Sequence, residues 1–140
     1  MPTDGAAAQA RGRWWLLVPA LLAIAVLAAA AETGFPFDQE LLLDTAPLPD
    51  SKRVPSLEVG EDGAAVIDLW CASAQGRVTV DGPSISIVPH AMEPAVCPPE
   101  RSQLDADMLS ALTQITTWRR EGDAVVLIGP QVLRYRVSSH

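Results

Sequence analysis

Residues 77–88 read Arg-Val-Thr-Val-Asp-Gly-Pro-Ser-Ile-Ser-Ile-Val. Two apolar-alternating runs, Arg77 to Val80 and Ser84 to Val88, flank Asp81-Gly82, a dipeptide that favours a tight hairpin turn because both residues tolerate positive φ. Val78 and Val80 on one arm can then pair with Ile85 and Ile87 on the other. Just upstream, Ala65, Ile67, Leu69 and Cys71 alternate with Val66, Asp68 and Trp70. That is the period-2 pattern of a strand with one buried face, and it predicts Cys71 pointing inward with Ile67 and Leu69. Glu61-Asp62-Gly63 is the turn that precedes this strand.

Working outward, the same pattern recurs near the C-terminus. Thr116 to Glu121 and Ala124 to Ile128 surround Gly122-Asp123, a second hairpin, and Gly129-Pro130-Gln131 turns the chain into Val132 to Val137. On the N-terminal side, Pro47, Pro49 and Pro55 allow only short strands, with Phe37 to Asp44 and Val54 to Glu58 as candidates. The stretch from Pro89 to Pro99 has four prolines and no periodicity, and reads as a loop. Pro98-Pro99 next introduces a helix, since proline suits a first turn whose N–H lacks a partner anyway. Glu100, Asp105 and Asp107 load its early turns with the negative charge that the helix dipole prefers. Leu104, Met108, Leu112 and Ile115 recur at helical spacing and form one apolar stripe. With one helix available, parallel strand pairs lack their crossovers, so antiparallel pairing is favoured. The expected fold is α+β over residues 35–138: a small curved antiparallel sheet or barrel covered by a helix from Pro99 to Ile115.

Residues Trp14 to Ala31 are eighteen uncharged residues in a row, preceded by Arg11 and Arg13. A positive flank, an apolar core and small residues at Ala29 and Ala31 fit a secretory signal cleaved near Ala31. An uncleaved anchor is the alternative, since eighteen residues at about 1.5 Å each just cross a hydrocarbon core of about 30 Å. The two arginines favour a cytoplasmic N-terminus either way, and Trp14 and Trp15 fit a membrane interface. Three parts follow: a signal or hydrophobic anchor helix at 1–31, an extended lead-in with short strands at 32–62, and a domain at 63–140. The body is expected outside the cytoplasm, in the cell envelope.

The formal net charge of −7 does not suit nucleic acid or the anionic faces of membranes. The two cysteines, Cys71 and Cys97, both fall in the exported part. An even count in an oxidising compartment reads first as a disulfide, with a pair of buried free thiols as the alternative.

From about Ala64 onward, the order of elements and the residues at the joints resemble the META domain, the HslJ-like family of bacterial envelope and stress proteins. A strand ends in Leu69-Trp70-Cys71, and Gly76 to Gly82 form a Gly-x-Val-x-Val-Asp-Gly hairpin. Pro89-His90-Ala91-Met92-Glu93-Pro94-Ala95-Val96-Cys97 is similar to the family's Pro-x-Ala-Met-Thr-x-x-Ala-Cys loop. A leucine-rich helix then leads to Trp118 through Leu127, similar to the family's closing Gly-Asp hairpin. The chain departs from the pattern at Ala72, where the family carries an asparagine thought to fix the following loop, and at Glu93, which replaces threonine. The resemblance implies the fold, and with it an envelope or stress protein without an agreed catalytic activity.

The side chains that could carry chemistry are few. A Cys–His nucleophile would need His90 within reach of Cys71 or Cys97, and no acidic orienter or oxyanion motif accompanies it. Cys71, Cys97, His90 and His140 have the atom types for zinc but lack the short-spaced ligand pair of structural sites. Neither an enzyme nor a metal or other cofactor is therefore expected. Trp70, on the polar phase of its strand, is either the lid of a second small core or an exposed contact residue for a protein partner. Arg119, Arg120, Arg134 and Arg136 should lie on neighbouring strands, either cross-paired with Glu121 and Asp123 or forming a docking patch for an anionic partner.

Overall fold

The structure, a computed structural model, describes residues 34–139. Eight strands in chain order close into an antiparallel barrel in which each strand pairs with its sequence neighbours and the last pairs with the first. They are β1 (Glu40–Leu43), β2 (Ser56–Val59), β3 (Ala64–Asp68), β4 (Ser73–Asp81), β5 (Ser84–Met92), β6 (Thr117–Glu121), β7 (Ala124–Ile128) and β8 (Leu133–Val137). One described helix, α1 (Pro99–Thr113), connects β5 to β6. Closure removes the free edges that an open curved sheet would expose. The strands at residues 40–43 and 56–59 are full members of this barrel, and β1 bridges β2 and β8. The apolar segment at residues 14–31 lies outside the described residues, and no described helix is long and apolar enough to cross a membrane.

The alternation read from the sequence becomes the inside and outside of the barrel. Leu41, Leu57, Ile67, Val125, Leu127 and Tyr135 fill the interior together with Leu112 of α1. The central hairpin has the expected register, Val78 opposite Ile87 and Val80 opposite Ile85. Its turn is made differently. Gly82 alone has positive φ, at 57°, and Asp81 remains in β4. Glycine first and proline second is the composition of a type II′ turn, because Pro83 cannot take positive φ. Gly122 (φ 62°) plays the same part between β6 and β7.

Several boundaries differ from the sequence reading for identifiable reasons. The run from Pro89 reads as loop, yet β5 continues to Met92. A bulge between Gln75 and Gly76 accommodates it, with Gly76 opposite Pro89. A Cβ on Gly76 would stand 2.8 Å from the Val88 oxygen and 3.2 Å from Pro89 Cα, so only glycine allows this approach. Proline is tolerated at such a bulge because it has no N–H to contribute. β5 and β6 pair only around Ser84 and Thr117, and α1 packs beside β5. The first strand is shorter than Phe37 to Asp44, since Asp38 takes a φ of 59°. Phe35 instead packs edge-on against Trp118, with ring centroids 5.2 Å apart, and joins the core.

The helix stripe is also displaced. Its buried residues are Asp105, Met108, Ala111 and Leu112, while Leu104 is exposed. Cys71 is not an inward strand residue. β3 ends at Asp68, and Cys71 sits half-buried on the connection to β4.

Candidate functional site

The β3–β4 connection is a tight turn at one end of the barrel. The Leu69 N–H donates to the Ala72 carbonyl at 2.9 Å, leaving Trp70 and Cys71 as its tip. Neither residue has positive φ, so the turn lacks the glycine that usually stabilises such a tip. It is held from outside instead. On one side, Asp105 of α1, 4% exposed, accepts the Cys71 N–H on Oδ1 at 3.2 Å and the Ala72 N–H on Oδ2 at 2.8 Å. On the other, the Arg53 guanidinium donates from Nε to the Leu69 carbonyl at 2.8 Å and from Nη2 to the Ala72 carbonyl at 3.0 Å. Two amide donors and two carbonyl acceptors of the turn thereby meet charged partners, the stronger class of hydrogen bond.

Arg53 is itself fixed by Asp68, 3.7 Å from Nη2. The Asp68 carboxylate also accepts from the Ser73 hydroxyl at 2.6 Å and the Ser56 hydroxyl at 3.2 Å. The third tie is covalent. Cys71 and Cys97 form a disulfide with Cα atoms 6.0 Å apart, joining the tip to the segment that enters α1. That separation lies in the ordinary range for such bonds.

Trp70, half-buried, overlooks a groove of about 660 Å³ between this tip, α1 and the β7–β8 connection. Leu43, Met108, Ala111 and Leu133 give it an aliphatic lining, and Asp107 and Gln114 are among its polar side chains. Gly129 permits the close seating of α1, since a Cβ there would fall 2.6 Å from the Gln114 oxygen.

The META domain family model matches residues 38–138. The chain belongs to the META-domain family. A protein structure solved by NMR is similar to this META domain with a TM-score of 0.55 at 14% identity, covering 71% of this chain and 88% of that one. No curated protein matches the sequence.

In this META domain the loop after Cys71 is fixed without an asparagine at position 72. Asp105 and Arg53 hold its main chain. Neither residue was singled out from the sequence for this role. The available signal was spacing: Asp105 lies three residues before Met108 and seven before Leu112, on the face those residues bury.

His90 is exposed on the outer part of β5, and both cysteines are committed to their mutual bond. His140 falls outside the described residues. Arg119, Arg134 and Arg136 come together with acidic partners on the outer face of β6, β7 and β8. Arg119 pairs with Glu121 at 2.8 Å, and Arg134 reaches Glu121 at 3.4 Å and Asp44 at 3.6 Å. Arg136 reaches Asp44 at 3.2 Å and Asp123 at 3.6 Å. Arg120 donates to the Gly122 carbonyl at 2.6 Å. The hydrogen bond from Arg119, aided by Arg134, holds the Glu121 carboxyl below its ordinary pKa of 4.5. Such exposed pairs order a surface more than they stabilise a fold.

Proposed function

We propose that this META domain is the exported part of a non-enzymatic cell-envelope protein that acts through protein contacts in stress tolerance or envelope maintenance. The observation that carries the reading is the hairpin tip bearing Trp70, closed by the Cys71–Cys97 disulfide. Disulfides persist in oxidising compartments and are rare in the cytosol, which accords with export. The apolar run from Trp14 to Ala31 behind Arg11 and Arg13 supplies the export route, as signal or as anchor. While oxidised, neither cysteine offers a thiolate for nucleophilic chemistry. A rigid tip with a half-exposed tryptophan is suited to recognition, since little entropy is lost on docking.

The test has two parts. A phosphatase fused after His140 should be active, and a cytoplasmic reporter there silent. Affinity capture from envelope extract should then yield a partner that rebinds when purified and that Trp70→Ala, or replacement of Arg134 and Arg136 by alanine, releases. Turnover abolished by His90→Ala would overturn the non-enzymatic reading. The second reading is a periplasmic binding or enzyme-inhibitor module, and the groove beside Trp70 favours binding of a ligand.

A further inference from the structure

The groove beside α1 carries a charge that the fold does not answer. Asp107 lines it, exposed, and accepts a hydrogen bond from Gln103 Nε2 at 2.9 Å. Among the described residues no lysine or arginine pairs with it, as holds for most of the exposed carboxylates outside the Asp44, Asp68, Glu121 and Asp123 pairs, but Asp107 is the one that lines this groove. The remaining polar lining, Ser110, Gln114 and Gln131, is neutral, so the groove contains one negative group and no positive one. Trp70 adds an aromatic side chain to the lining, and Leu43, Met108 and Leu133 add aliphatic surface.

These features together select a class of ligand. An indole face attracts a cation through its quadrupole, more strongly than other aromatic side chains. A carboxylate supplies the opposite charge, and the aliphatic lining takes hydrocarbon out of water. An anion of the same shape would meet repulsion from Asp107 with no cation to offset it. The volume falls within the range of about 300–1,000 Å³ usual for small-molecule sites. We propose that this groove binds small apolar organic cations, alkyl or aryl ammonium compounds whose hydrocarbon rests on the aliphatic lining while Trp70 and Asp107 draw the charged head. This rests on the binding-module reading and is independent of a role through protein contacts.

Three probes that share a six-carbon chain and differ in head-group charge separate the contributions: hexyltrimethylammonium, hexanol and hexanoate. Each is titrated into the purified full-length chain, with the backbone amides of α1 followed by NMR and, where Trp70 is present, its indole N–H as well. The ammonium should bind tightest and shift the Trp70 signal together with amides of α1. Asp107→Asn should weaken the ammonium about threefold and leave hexanol unchanged. Trp70→Ala should weaken it about fivefold, with Trp70→Phe restoring most of the loss and guarding against a folding artefact. If hexanol or hexanoate binds as well as the ammonium, the assignment of charge is overturned while the binding-module reading stands. If no probe binds up to about 10 mM, the assignment of this groove to small organic cations is overturned, while an enzyme-inhibitor role is judged by the affinity capture described above.

Discussion

The Asp105 carboxylate and the Ala72 backbone N–H meet at 2.8 Å inside the protein, 33 residues apart in the chain. The same carboxylate takes the Cys71 N–H, so one side chain of α1 caps the turn that joins β3 to β4. A buried carboxylate is costly unless its oxygens are satisfied, and here two amide donors satisfy it. Removing it leaves those donors unpaired in the interior.

Asp105→Ala should therefore destabilise the domain by about 2–4 kcal/mol, the cost of two charged hydrogen bonds and the orphaned N–H groups. Leu104→Ala, one position away and exposed, should cost under about 1 kcal/mol. Paired urea denaturation curves would check this, and equal losses would mean that Leu104 carries the stripe.

That pair of residues also marks where the sequence was legible. Strand alternation, the positions of the two glycine-containing hairpins and the proline-led helix show in the sequence, because periodicity and turn composition are local, although the central turn is made by Gly82-Pro83 rather than Asp81-Gly82. The face of α1 is less visible, since Leu104 and Asp105 both stand at stripe positions. Hydrophobicity alone chooses leucine. What decides the matter is non-local: the unpaired amides of Cys71 and Ala72 need an acceptor, and no sequence pattern displays that need. Arg53 was hidden for the same reason, because its targets at Leu69 and Ala72 are carbonyls rather than acidic side chains. The extension of β5 through Pro89 was masked by proline content, which a bulge absorbs.

At that bulge, Gly76→Ala should cost about 1–3 kcal/mol, since the new methyl group meets backbone atoms that cannot rotate away. Ser86→Ala, exposed on the facing strand, should stay within about 0.5 kcal/mol. Thermal melts of the two variants would measure the difference, and a Gly76→Ala melt indistinguishable from the parent would refute the close approach.

Tyr135, the one tyrosine of the chain, is almost fully buried, and that burial pushes its phenol pKa up from the ordinary value of 10.0. With the folded value above the unfolded one, its contribution to stability is complete below about pH 10 and is lost as pH rises beyond that. Absorbance at 295 nm should show no phenolate until the fold opens, with the ionisation and the loss of circular dichroism coinciding. Phenolate forming with an ordinary midpoint in a folded protein would contradict this burial.

On the outer face, Arg119→Ala should return the Glu121 carboxyl toward its ordinary range, because the guanidinium hydrogen bond is the main cause of its depression. The depressed value means that this interaction contributes above about pH 4.5 and fades as pH falls through the folded pKa. Carbon-detected NMR titration would follow it, and an unchanged Glu121 midpoint in the variant would point to another cause.

The thiol state inside the cell bears most directly on the proposal of an exported domain whose Trp70 tip is tied by the Cys71–Cys97 bond. Cells are quenched in acid, the chain is alkylated under denaturing, non-reducing conditions, and its mass is determined. The account predicts no alkylated cysteine before reduction and two after it, together with a loss of about 3 kcal/mol in stability when both are replaced by serine. Two alkylated thiols per chain without reduction would contradict it.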